Sequence, residues 1–85
     1  MQVDTCIREI IGMRGMSMRG VSAALDKSQA WTRNVAAPGR SPALATVADI
    51  ADVLGYRLAV VDVATDETVG TIDPPRKASA DTSLS

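Results

Sequence analysis

Apolar residues recur three and four positions apart through the first two-thirds of the chain, and beyond Gly55 that spacing stops. Ile7, Ile10 and Ile11 share one helical stripe with Asp4 placed to cap its start, which predicts a first helix over 4–13 loosened at its end by Gly12 and Gly15. Ser17 is placed to cap a second helix over 17–25, with Val21, Ala24 and Leu25 facing inward. Gly20 inside it costs about 1 kcal/mol relative to Ala, so packing must hold that helix. Ser28 is the next cap candidate, opening a third helix over 28–37 that Pro38 and Gly39 end. Its periodic inward positions are Thr32 and Val35, which turns Gln29, Ala30, Arg33 and Asn34 outward. The strongest stripe is Leu44, Val47, Ala48, Ala51 and Leu54, a fourth helix over 42–54 that Ser41 and Pro42 start and Gly55 stops.

Residues 57–63 and 68–72 are β-type runs rich in valine, and the stretch between them favours a turn, so a hairpin is predicted over 57–72. A lone hairpin is marginal in water. Leu58, Val60, Val61, Val63, Val69 and Ile72 are therefore expected to form the dimerisation element, or to pack on the helices. From Pro74 onward no period remains, so 74–85 is expected to be a disordered tail and 3–73 the folded domain. The expected fold class is mainly α with a C-terminal β-hairpin.

Composition narrows the chemistry. A chain of 85 residues makes one domain at most, with a core built from Ile, Leu, Val, Met and Ala because Trp31 and Tyr56 are its only aromatic residues. Residues 1–60 carry seven bases (Arg8, Arg14, Arg19, Lys27, Arg33, Arg40 and Arg57) against five acids, for a net +2, whereas residues 61–85 carry net −3. An anionic partner must therefore meet bases gathered on one face. There is no histidine, and Cys6 is the only cysteine, which removes His-based acid–base catalysis, Cys/His zinc ligation and an intrachain disulfide. A protein that is not an enzyme, with no metal and no cofactor, is expected. Cys6 itself reads as a small buried hydrophobe in the first helix. Asp4, Arg8 and Glu9 interrupt any leader-like apolar run, and no stretch approaches the roughly 20 apolar residues of a membrane span. The expected location is cytoplasmic.

Two short helices joined by a tight turn, the second presenting polar residues early, is the arrangement that lays a recognition helix in the major groove. Ile7-Arg8-Glu9-Ile10, Arg14-Gly15-Met16-Ser17, residues 21–25 and Ser28 stand in one order along the chain. Val35, Gly39-Arg40-Ser41-Pro42, Leu44, Thr46, Ala51 and Leu54-Gly55 continue it. On these residues the segment 7–60 resembles the lambda-repressor-like (XRE, Cro-type) helix-turn-helix family. It departs from that pattern at Met18, Asp26 and Thr32, where Gln, Gly and a hydrophobe are usual, and Pro38 moves the usual Gly one step to Gly39.

The resemblance implies a four-helix helix-turn-helix domain and a sequence-specific transcriptional regulator, a repressor, that binds a near-palindromic double-stranded DNA operator as a homodimer. Gln29 then suits adenine N6 and N7, Arg33 guanine or phosphate, and Asn34 adenine or phosphate, with Ala30 on the same face. Trp31 either packs over the sugar-phosphate backbone or buries beside the second helix. Arg40, Ser17 and Ser28 are placed to reach phosphates, and Ser28 serves equally as a plain cap. Two alternatives stay open. One is the antitoxin of a toxin–antitoxin pair, whose hairpin or tail holds the toxin; the other is a phage or accessory protein that uses the fold for protein contacts.

Overall fold

The computed structural model describes residues 1–75. Four helices, α1 (Val3–Met13), α2 (Met18–Ala24), α3 (Trp31–Val35) and α4 (Leu44–Val53), are followed by an antiparallel hairpin of β1 (Leu58–Val61) and β2 (Thr68–Ile72). Ile7 and Ile11 of α1, Val21 of α2, Ile50 of α4, and Leu25, Ala36 and Leu54 at helix ends make one buried cluster. Trp31, Val35, Val47 and Tyr56 pack against its margin.

Three of the helices end in the same way. After α1 the N–H of Met16 bonds the carbonyl of Ile11 and that of Gly15 bonds Gly12; after α4 Tyr56 bonds Ala51 and Gly55 bonds Asp52. After α2 Lys27 bonds Ser22 and Asp26 bonds Ala23, completing a third pair of the same kind. This arrangement satisfies the last free carbonyls and requires a left-handed residue just past the helix. Gly15 (φ +68°) and Gly55 (φ +82°) supply it freely, whereas Asp26 (φ +62°) supplies it with a side chain attached. Asp26 therefore fills the glycine position of the α2–α3 turn by adopting the glycine conformation, which Asp tolerates better than most residues.

Several expectations are corrected. Asp4 does not cap α1, because the N-cap lies two residues earlier, at Gln2. Asp4 thereby falls on the stripe of Ile7 and Ile11 and is buried. In α2 the inward polar residue is Ser22, while Ala24 is exposed. Helix α3 is shorter than predicted and begins at Trp31, so Ser28 does not cap it. In α4 the buried stripe includes Ile50, and Leu44 is 57% exposed because no described element covers the first turn. Cys6 is half-buried, one step off the stripe of Ile7 and Ile11.

Leu58 pairs with Ile72, Ala59 with Thr71 and Val60 with Gly70, and the register then shifts so that Val61 faces Thr68, leaving β2 one residue longer at Val69. The loop closes through Asp62 N–H to the Glu67 carbonyl (2.8 Å), with the Asp62 carboxylate accepting from Ala64 N–H (2.9 Å). Only Leu58 and Ile72 are half-buried, and residues 59–71 are exposed, so the hairpin stands away from the helices from its root onward. Val60, Val61, Val63 and Val69 are thus not buried against the helices. Pro74 is buried, which carries the packed region past the predicted boundary at 73. The rest of the predicted tail, 76–85, lies outside the described residues. Among the described residues no helix is long and apolar enough to cross a membrane.

The left-handed Asp26 gives a direct test. Asp26→Gly is expected to raise stability by about 0.5–1 kcal/mol, because relief of the side-chain strain exceeds the added freedom of the unfolded chain. That corresponds to a few degrees in melting temperature for a domain of this size. Asp26→Val, β-branched at the same φ, is expected to lower it, and thermal unfolding followed by circular dichroism checks both.

Candidate nucleic-acid interface

Five residues cannot persist as an isolated helix, since nucleation costs more than so few bonds return. Helix α3 is held at both ends by side chains from other helices. At its start the buried Ser22 Oγ of α2 accepts from Thr32 N–H (3.1 Å) and lies 2.6 Å from Thr32 Oγ1. Trp31 N–H bonds the carbonyl of Ser28 (3.0 Å). The capping expected of the Ser28 hydroxyl therefore comes from Ser22, and Ser28 contributes its carbonyl instead. Thr32 can be polar at a fully buried position because its hydroxyl has this partner in α2.

At the other end Arg8 Nη1 donates to the carbonyl of Ala36 (2.7 Å) and to Asp4 Oδ2 (3.1 Å). The same Asp4 oxygen accepts from Gly39 N–H (3.3 Å), in the loop after α3. One ion pair on α1 thus ties down both the last turn of α3 and the chain leaving it, and a cation there also suits the helix dipole. Burial pushes the Asp4 carboxyl up, but the Gly39 N–H and the Arg8 guanidinium outweigh it and hold the group below the ordinary carboxylate value. Because the folded value is the lower one, the tie contributes fully above the unfolded carboxylate value and is lost as pH falls through the folded value.

What α3 presents is polar and basic. Gln29 and Ala30 occupy the turn before it, Arg33 and Asn34 lie on it, and all four are exposed, as is Ser28. Arg40 is exposed in the following loop and lines a shallow cleft with Asn34, Val35, Ser41 and Pro42. Ser17 stands at the start of α2 with its Oγ accepting from Gly20 N–H (2.9 Å), the capping role expected of it. Trp31 is half-buried against the core margin, and Lys27 Nζ lies 5.5 Å from its ring centroid. Packing beside the helices is therefore the part of the expectation for Trp31 that the structure shows.

Lys27 joins the candidate set although the sequence reading passed over it. The signal was available, since residues 27–48 contain Lys27, Arg33 and Arg40 and no acid at all. Arg14, by contrast, is engaged elsewhere, with its guanidinium 4.2 Å from the Tyr56 ring centroid. Guanidinium and ammonium donors here suit phosphate oxygens, and the amides of Gln29 and Asn34 suit base edges. The hairpin residues expected at a dimer contact lie on a separate element.

Compared with protein-family models, curated proteins and solved structures, the chain matches none.

The Ser22–Thr32 contact predicts an order of effects. Ser22→Ala strands both the N–H and the hydroxyl of Thr32 and is expected to cost about 1–3 kcal/mol. Thr32→Val leaves Ser22 its N–H partner and is expected to cost less. Urea unfolding of the two variants measures the difference, and equal costs would show that the hydroxyl pair matters more than the cap.

Proposed function

We propose that the chain is a DNA-binding transcriptional regulator of the lambda-repressor-like helix-turn-helix kind, with α2 and α3 as the motif and α3 as its reading helix. The observation that carries this reading is the way α3 is held. A five-residue helix, capped from Ser22 and anchored by Arg8 and Asp4, turns Thr32 into the core with Trp31 and Val35 at its margin, and leaves an exposed side that consists of Arg33 and Asn34 with Gln29 beside them. Such effort spent on a polar face favours a ligand for that face.

In this reading Gln29 and Asn34 contact base edges and Arg33 a guanine or phosphate, while Lys27, Arg40, Ser17 and Ser28 fix the register on the backbone. Trp31 packs against the sugar-phosphate wall. Two copies set their reading helices about 34 Å apart, which makes the operator an approximate palindrome, and repression follows by occupancy.

Selection of bound duplexes from a random pool at physiological salt tests the proposal, with an Arg33→Ala/Asn34→Ala variant in parallel. An approximately palindromic motif that weakens or relaxes in the variant is expected. Arg33→Ala alone should reduce the slope of log affinity against log salt by about 1 per protomer if it meets phosphate, and should relax one base position if it meets guanine. No enriched motif, with retention that vanishes on modest salt, would overturn the reading and leave a protein partner as the occupant of this face.

A further inference from the structure

The hairpin and the groove at its root carry complementary chemistry. Met1, Val3, Cys6, Leu44, Val47 and Leu58 line an apolar groove of about 400 Å³. Met1 and Leu44 are mostly exposed there, and Val3 is partly so. Because Leu58 is both groove wall and first residue of β1, the apolar surface continues from the groove onto the hairpin. Two helices begin at this groove, α1 at Val3 and α4 at Leu44, and neither N-cap residue (Gln2, Ala43) makes a side-chain capping bond. Helix α4 has no acid in its first turn either. The first turn of α1 already holds Asp4, so the groove combines an apolar floor with the one helix start that no acid compensates, that of α4.

The hairpin offers the opposite. Residues 58–75 contain Asp62, Asp66, Glu67 and Asp73 and no base, and among the described residues none of the four makes an ion pair. Val63 is 98% and Val69 67% exposed on the same arm. In a single chain the arm leaves the groove at Leu58 and does not return to fill it, since residues 59–71 are all exposed.

We propose that the hairpin of one copy seats in the α1–α4 groove of a second copy, reciprocally about a two-fold axis. Valines then cover the apolar floor, and the carboxylates of the arm lie at the uncapped, acid-free start of α4. Direct pairing of two hairpins would instead bring two sets of four carboxylates together. This inference rests on the homodimer part of the functional reading and assigns the seat of the arm.

The test needs no DNA. The mass of the full chain is measured by sedimentation equilibrium for wild type, Leu44→Glu in the groove and Val69→Glu on the arm, both sites being exposed, with circular dichroism confirming the helices. A wild-type dimer that each substitution weakens by about tenfold or more is expected. Cys6 in the groove supplies a second readout: Val69→Cys is expected to give a covalent dimer under mild oxidation that Cys6→Ser abolishes.

A monomeric wild type overturns the proposal. So does a dimer that Val69→Glu destroys and Leu44→Glu leaves intact, or a Val69→Cys cross-link that survives Cys6→Ser, since both results mean that hairpins pair with each other. A chain that dimerises as proposed but selects no duplex overturns the DNA reading alone. One that selects a palindrome while ignoring Leu44→Glu overturns the groove alone.

Discussion

The DNA-binding reading of this chain depends on the anchoring of α3 by Ser22 at one end and by Arg8 with Asp4 at the other. A helix of five residues has almost no cooperativity of its own, so its direction and register are whatever its neighbours impose. Ser22 fixes the first turn through a bond to backbone and a contact to side chain, both inside the core, where an unmade hydrogen bond is expensive. Arg8 and Asp4 fix the last turn and the exit loop through one shared carboxylate oxygen. The consequence is a short helix whose outer face is free to be polar, because none of that face is needed to hold it.

Charge is divided along the same lines. The stretch 27–48, which contains α3, carries bases only, while 58–75, which contains the hairpin, carries acids only. An acidic arm close to a phosphate surface is repelled, so a DNA complex favours poses that turn the arm away from the duplex. An arm seated on a second copy, with its carboxylates at the start of α4, meets that requirement and joins two reading helices in one operation. The functional proposal and the dimer proposal are therefore linked by electrostatics, although each has its own test.

Much of this was legible in the chain itself, and the misses have a common cause. The stripes of Ile7 and Ile11, of Val21 and Leu25, and of Ala48, Ala51 and Leu54 report burial because a helix repeats its contacts locally. The hairpin was legible because valine runs and turn residues are also local signals. Asp4 was misread because a capping acid and a buried ion-paired acid look alike over one turn. What decides between them is Gly39, 35 positions away. Ser28 was misread as the cap of α3 for the same reason, since the true capping oxygen belongs to Ser22, 10 positions before the Thr32 N–H that it accepts from. Thr32, noted as a departure from the usual hydrophobe, was half of that pair, and the other half became visible only in the packing. Leu44 kept its place in the stripe yet lies exposed, because periodicity describes a helix face and not what covers it.

The central claim is that the face of α3 is the one that meets nucleic acid. Titrating a duplex long enough for two half-sites into the full chain, while following backbone amides and the Trp31 indole by NMR, tests it most directly. The account predicts shifts concentrated on residues 27–34 and Arg40, with the hairpin residues 58–72 unmoved. Shifts centred on the hairpin or on the groove around Leu44, with α3 silent, would contradict it.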